Sequence, residues 1–566
     1  MISRIYSFIF GVNIYYVVLL ILLMVIGMFL EVLGIAMVMP AVYLILEANI
    51  KETTYSYLIP EYFLSLNHTS LIVIAMSLLG IVFFIKSVYI GLLTWMQTSF
   101  AFKTGAKLSE ELYEKYLNQN FSDYSKKNSP EILRNLTVEI DMVVGSILQT
   151  LQVTTELIVI LGIIIILISI EPLGSLITLL IFIIAGSIFY FFTSRIIIRS
   201  GIERQNNETL RNKSIQEGFN GFREIKLFGK SQFFINKYRF SNSTIARIGS
   251  YIQTLNTIPR LYIETLMVIA LVTFVLLSIR YGYTSKEIIS NIAILAVAGF
   301  RLLPSMNRIY VGIQHLRFSS PSISLIYNEI NNIKTQELET GKNKSQFIEK
   351  ISLRNLSFSY KNKLIIGPNL NFDINSGTFI GVCGPSGSGK STLVNLISGL
   401  IEPDEGKICV DGFDIKDDLP AWFSQIGYVS QNNYLINDTI KRNIAFGIKD
   451  NQINENALTN AIKSSEIEEF IQQLDQGVDT LVGENGINIS GGQKQRITIA
   501  RILYNCPKII IFDEATNALD RQTESEILDT IHRIESATVL IISHNRELLS
   551  KCDKTYILEN GKLHLQ

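Results

Sequence analysis

The clearest chemistry lies in the last third of the chain. Gly384-Pro385-Ser386-Gly387-Ser388-Gly389-Lys390-Ser391-Thr392 follows the apolar run Thr378–Cys383 and precedes a second apolar run, Leu393–Leu400. This is the GxxxxGK[ST] spacing in a strand–loop–helix setting. The glycines let backbone N–H groups close around phosphate oxygens, and the N-terminus of the next helix favours negative charge. Lys390 is placed to reach the β- and γ-phosphates of a nucleotide, and the Ser391 hydroxyl to ligate Mg²⁺. A chance Gly-rich turn would lack the flanking strand and helix. A second constellation, Asp513-Glu514, closes the run Lys508–Phe512. Apolar residues running into two carboxylates suit a buried parallel strand whose C-terminal edge faces a ligand. Asp513 then holds Mg²⁺, directly or through water, and Glu514 polarises the attacking water as general base. Alone, the pair reads equally as an acidic turn; the phosphate loop supplies the nucleotide that needs both carboxylates.

Between the two stands Ile489-Ser490-Gly491-Gly492-Gln493-Lys494-Gln495-Arg496. It resembles the signature sequence of ABC ATPases, with Ile489 where Leu is commoner. Other matches follow in family order. Gln431, in Gly427-Tyr428-Val429-Ser430-Gln431, resembles the Q-loop glutamine, which implies roles in catalysis and at Mg²⁺. Asn517-Ala518-Leu519-Asp520 resembles the D-loop, and His544, after Thr538–Ser543, the switch histidine. Tyr360, in Leu356-Ser357-Phe358-Ser359-Tyr360, resembles the aromatic that stacks on adenine. The likeness spans about residues 345–566. Ser490 and the glycines beside it offer donors at a helix N-terminus, suited to a γ-phosphate. In this family that helix lies too far from its own phosphate loop, so the resemblance implies two chains head to tail with ATP between them. Every motif is intact, which implies a homodimer with both sites competent. Thr480–Gly486 resembles the exporter segment that touches the cytoplasmic turns of the membrane domain.

The elements that must position these residues differ along the chain. At 566 residues it is too long for one ordinary domain, and 50 Lys+Arg balance 50 Asp+Glu, so no global field points to nucleic acid. The mean hydropathy of +0.30 averages two unlike halves. Leu, Ile, Val and Phe dominate up to about residue 325; a soluble α/β pattern begins after about 345. The expected organisation is a helical membrane domain over 1–330, a linker over 331–349 and an ATPase domain over 350–566. The fold class is six transmembrane helices, similar to type IV ABC exporters, fused to an α/β P-loop ATPase. About 20 mostly apolar residues span a bilayer. Tyr15–Leu46, Leu71–Leu93, Val153–Ile170, Leu173–Phe192, Tyr262–Ile279 and Ile288–Leu303 meet that need. The first run is longer than a signal-peptide core and holds Glu31 and Pro40, so it reads as a retained span. Lys and Arg crowd the connections after spans two and four, so those connections, both termini and the ATPase are expected in the cytoplasm. Leu108–Leu117 and Glu203–Phe219 keep helical periodicity, so these spans continue into water and turn near Asn118–Ser129 and Gly218–Gly229. Cys383, Cys409, Cys506 and Cys552 lack metal-site spacing and read as reduced thiols.

Cations within or beside the spans bear on what is moved. Lys86, Arg260, Arg301 and Arg308 each sit in or next to apolar runs. A charge at bilayer depth costs a few kcal/mol or more, so it lines an aqueous cavity, finds a partner, or snorkels to the interface. Pro259-Arg260-Leu261-Tyr262-Ile263-Glu264 and Phe300–Ile309 resemble segments of the PglK-type lipid-linked oligosaccharide flippases of bacterial protein N-glycosylation. That likeness, over the whole length, implies a polyprenyl-pyrophosphate oligosaccharide as substrate, with Lys86, Arg260, Arg301 and Arg308 around its phosphates. Lys86 stands where the resemblance leads one to expect Arg. Tyr55–Asn67 is amphipathic and reads as an interfacial helix beside a lipid tail, or one resting on the bilayer alone. Export of another lipid, a drug or a hydrophobic peptide is the alternative, and a membrane ATP sensor that transports nothing is a further one.

Overall fold

The computed structural model describes residues 2–12, 14–46, 68–170, 172–280, 285–333, 347–361, 363–431, 433–514 and 537–566. The chain divides into two compact units, Met1–Leu117 with Lys126–Lys334, and Asn118–Ser125 with Thr335–Gln566. The interfacial segment 55–67, most of the 331–349 linker and the D-loop with Asp520 lie outside the described residues.

The first unit is helical. Among the described residues its long helices are α1 (Ile14–Leu46), α2 (His68–Leu117), α3 (Ile140–Ile170), α4 (Pro172–Asn220), α5 (Ser231–Arg280) and α6 (Ser285–Phe318). Each of the six apolar runs falls in one of them. Among the described residues, four stretches are long and apolar enough to cross a membrane: Ile14–Gly34, Thr69–Leu117, Ser129–Ile166 and Ser231–Arg280. The second and fourth apolar runs continue without a break in helix beyond their apolar ends, α2 to Leu117 and α4 to Asn220. The turns beyond them carry the short helices Phe121–Tyr124 and Phe222–Leu227. Before α3, Asn135–Glu139 forms a π-helical turn. It delivers the fully buried Glu139 to Arg134 (3.5 Å) and to Arg204 of α4 (3.0 Å). A carboxylate removed from water persists because two guanidiniums compensate it.

The second unit holds two sheets. Strands β1 (Lys350–Tyr360), β2 (Lys363–Asn375), β4 (Glu405–Val410) and β5 (Phe413–Asp414) form an antiparallel sheet in the order β2-β1-β4-β5. Strands β3 (Phe379–Cys383), β6 (Ile426–Val429), β7 (Ile509–Asp513), β8 (Thr538–Ile542), β9 (Lys554–Glu559) and β10 (Lys562–Leu565) form the other, ordered β10-β9-β3-β8-β7-β6. β9, β3, β8, β7 and β6 run parallel. β7 and β8 are buried along their whole length, the expected state of central parallel strands covered on both faces. The phosphate-loop helix, α7, is Lys390–Ile397, three residues earlier than the apolar run Leu393–Leu400 placed it. Apolar patterning marks only the buried face; the helix itself begins where Gly389, at φ 100°, ends the loop. The thiols are free in all four cysteines.

Candidate nucleotide site and membrane-domain charge cluster

Register builds the site. Val382 of β3 pairs with Ile542 of β8, Ile542 with Asp513 of β7, and Phe512 with Val429 of β6. Four strands therefore end together. The phosphate loop, Glu514, Ser543-His544 and Ser430-Gln431 all leave the sheet at that C-terminal edge, where parallel α/β sheets bind ligands.

The phosphate loop has the shape its glycines imply. Gly384, Gly387 and Gly389 take φ values of 155°, 79° and 100°, and a Cβ at Gly384 would meet the Leu558 carbonyl oxygen at 2.4 Å. At Gly387 a Cβ would meet nothing within 4 Å, so the loop is open there. Lys390 is 7 % exposed and donates to the carbonyls of Gly384 (2.9 Å) and Pro385 (3.1 Å), its ammonium curled into the loop. The Ser388 hydroxyl is buried without a hydrogen-bond partner. An ammonium, an idle hydroxyl and a backbone cradle fit polyphosphate oxygens. Pro385, Ser386, Ser391 and Thr392 fall in the same loop and the first turn of α7.

Asp513 is buried, and burial pushes its carboxyl above the usual carboxylate range. Tyr428 opposes that shift by donating its hydroxyl to Asp513 Oδ2 at 3.0 Å. Burial and the neighbouring Asp513 charge raise the Tyr428 phenol in turn, so it stays a donor. Glu514 takes φ 50°, in the left-handed region, with its N–H on the Ile542 carbonyl at 3.0 Å. Its carboxylate is bracketed: Gln431 Nε2 donates to Oε2 at 3.3 Å, and His544 Nε2 lies 3.2 Å from Oε1. Gln431, Glu514 and His544, read separately from three motifs, thus meet around one carboxylate.

Ser490 is the N-cap of α8 (Gly491–Tyr504). Its Oγ accepts from Gln493 N at 3.3 Å, and Gln493 Oε1 accepts from Ser490 N at 2.8 Å, a reciprocal capping box. Gly491 and Gly492 occupy the first helical turn, where N–H groups have no helical acceptor. Tyr360 ends β1, about half exposed, with its ring edge-on to Phe358.

In the membrane domain three of the four cations converge. Lys86 of α2 pairs with Glu31 of α1 at 2.9 Å. Arg301 of α6 donates to the other Glu31 oxygen at 2.8 Å and lies 3.9 Å from Glu156 of α3. Arg308, two turns further along α6, pairs with Glu156 at 2.8 Å. Arg260 is engaged with Glu264 of its own helix at 2.9 Å and is not part of this chain of pairs. Sequence reasoning passed over Glu31 and Glu156 as site residues, although an ionisable group inside a span is a functional signal by itself. It also passed over Tyr428, whose hydroxyl carries no motif.

Residues 368–517 match the family model for the ABC transporter ATPase, and residues 17–300 match that for the ABC transporter transmembrane region. An uncharacterized ABC transporter ATP-binding protein of Sinorhizobium fredii is 30 % identical over 503 residues, 86 % of this chain and 83 % of the relative. The ATP-dependent lipid A-core flippase of Neisseria gonorrhoeae is 27 % identical over 478 residues, 83 % of this chain and 76 % of the relative. The solved structure of a bacterial Atm1-family ABC exporter with ATP bound superposes with a TM-score of 0.81 at 22 % identity, covering 98 % of this chain and 95 % of that one. The chain belongs to the ABC transporters, as an exporter-type half-transporter with its membrane domain fused to an ATPase.

Proposed function

We propose that this half-transporter works as a homodimer in a bacterial inner membrane, ATPase inward. There it flips a polyprenyl-diphosphate-linked oligosaccharide from the cytoplasmic to the outer leaflet for glycosylation. The observation that carries the reading is the convergence of Lys86, Arg301 and Arg308 inside an apolar helical domain. Cations so placed serve an anionic head group, and guanidiniums match phosphate oxygens in a fork. The resemblance of a lipid flippase along most of the chain supports a lipid cargo over a soluble one.

Bound ATP with Mg²⁺ supplies the γ-phosphoryl group whose transfer to water drives the cycle. Lys390 and the loop N–H groups hold its phosphates. Ser391, Asp513 and Gln431 would hold Mg²⁺, which would offset the charge of the β- and γ-phosphates, and Tyr360 would be the platform for adenine. Glu514 releases one of its two brackets to accept the proton of the attacking water. His544 and Gln431 keep the carboxylate aimed. Ser490, Gly491, Gly492 and Gln493 present the cap of α8 to the partner's nucleotide.

Two consequences are measurable. Tyr428→Phe removes the donor that holds Asp513 ionised, which contributes about 1.5–3 kcal/mol for a charged acceptor. The half-saturating Mg²⁺ concentration for ATP hydrolysis should rise about tenfold. The acid limb of the pH profile should move to higher pH, because Tyr428 lowers the Asp513 pKa and burial alone raises it. Unchanged Mg²⁺ titrations would remove Tyr428 from the site. Ser490→Ala should cost about 1 kcal/mol of helix capping and about tenfold in ATP turnover. Turnover lost only in step with thermal stability would leave Ser490 as a cap alone.

The direct test is flipping of a fluorescent polyprenyl-diphosphate oligosaccharide in proteoliposomes. ATP should move the label to the opposite leaflet, and a neutral polyprenyl glycoside should stay. Equal transport of both would reject the anionic head group as the determinant.

A further inference from the structure

Glu31 and Glu156 are the counter-charges to Lys86, Arg301 and Arg308. Glu31 is 4 % exposed and Glu156 7 % exposed. Each carries two cations: Lys86 and Arg301 on Glu31, Arg301 and Arg308 on Glu156. Arg301 therefore bridges the carboxylates. It spends one nitrogen on Glu31 and another on the buried Ser305 hydroxyl at 3.2 Å, and its Nε is buried with no hydrogen-bond partner. Among the described residues, three cations against two carboxylates leave one positive charge uncompensated.

The charge balance has a chemical consequence. A buried charge left without a partner costs about 3–5 kcal/mol, so the cations hold their carboxylates until another anion replaces them. A singly charged head group neutralises the excess without dislodging either glutamate. It gains the field but no open guanidinium fork. A doubly charged diphosphate diester cannot be balanced while both glutamates stay. Replacing one, which takes up a proton and stays buried uncharged, leaves three cations facing two phosphate charges and one carboxylate, which is neutral. The Arg301 Nε then completes a fork with the nitrogen its carboxylate has left.

We propose that Glu31 and Glu156 are resident counter-ions that select a doubly charged lipid head group by being displaced from Arg301, and that release it by returning. This rests on the flippase reading and assigns its charge specificity and its release step to two carboxylates rather than to the cations alone.

The test uses full-length protein in lipid nanodiscs, with a polyprenyl-diphosphate sugar (a diphosphate diester, two charges) and a polyprenyl-phosphate sugar (a phosphodiester, one charge) as the diphosphate and monophosphate probes of ATPase stimulation. Glu31→Gln and Glu156→Gln keep side-chain shape and lose the charge. Each should lower the half-saturating concentration of the diphosphate about tenfold, or about 1.4 kcal/mol, with a smaller gain for the monophosphate. Each should also slow flipping in proteoliposomes, because release loses its competitor. Glu156→Gln is the safer variant, since its partner Arg308 is half exposed and keeps water. On the unsubstituted protein, an apolar carbodiimide should label Glu31 or Glu156 faster when diphosphate is present. Unchanged or higher half-saturation in both variants, or labelling indifferent to diphosphate, overturns the counter-ion role. In that case wild-type stimulation by diphosphate persists and the flippase reading stands. Absence of stimulation by either lipid in the wild type rejects the flippase reading and this proposal with it.

Discussion

Glu514→Gln should slow ATP hydrolysis by about two to four orders of magnitude, the usual contribution of a positioned general base, while ATP stays bound. The amide keeps the size of the carboxylate and can still meet Gln431 and His544, which lie 3.3 Å and 3.2 Å from the two oxygens. What it loses is the ability to take a proton from water. The Lys390 cradle is untouched, so ground-state binding of nucleotide should not change. A loss confined to the transition state lowers turnover without raising the ATP concentration needed for saturation. The measurement is single-turnover phosphate release together with filter retention of labelled ATP on the dimer. Hydrolysis at the wild-type rate, or loss of bound ATP in parallel with loss of rate, would show that Glu514 is not the base.

Arg301→Ala should reduce lipid-stimulated flipping by about two orders of magnitude. A guanidinium that pairs with both carboxylates contributes on the scale of a desolvated charge pair, about 2–5 kcal/mol. The variant should still fold. Glu31 keeps Lys86 at 2.9 Å and Glu156 keeps Arg308 at 2.8 Å, so neither carboxylate is stranded. The cluster, however, falls from one excess positive charge to none, and attraction for an anionic head group goes with it. Arg260→Ala is the internal comparison. Its guanidinium is 68 % exposed and holds Glu264 one turn away, an exposed pair of the kind that contributes about 0.3–0.5 kcal/mol. Flipping assays on the two variants should separate widely. Equal losses would mean that the convergence of Lys86, Arg301 and Arg308 does not define the substrate path.

The parts legible in the chain were those encoded over a few consecutive residues. The phosphate loop is contiguous, and its glycines and Lys390 dictate backbone geometry wherever the chain folds around them. The strand ending in Asp513-Glu514 announced its edge by composition, and β7 lies within a residue of where it was placed. The six long helices follow from runs that only a bilayer or a buried core can solvate. The start of α7 was misplaced because apolar patterning marks the buried face of a helix and not its first turn.

By itself, then, the sequence determined an ATP-hydrolysing engine joined to a helical membrane domain, because both are written in local spacing and hydropathy. Tertiary structure alone decided which polar groups meet. Gln431 reaches Glu514 across 83 residues of chain, and Arg301 reaches Glu31 across 270. The Tyr428 hydroxyl found Asp513 through the pairing of β6 with β7. A helix that is apolar on every side has no stripe to say which face turns inward, so the partners of Lys86, Arg301 and Arg308 could be settled only by rotation and packing of helices. Packing put Lys86, Arg301 and Arg308 on two shared carboxylates and left Arg260 on its own helix, since ion pairs depend on distance through space and not along the chain.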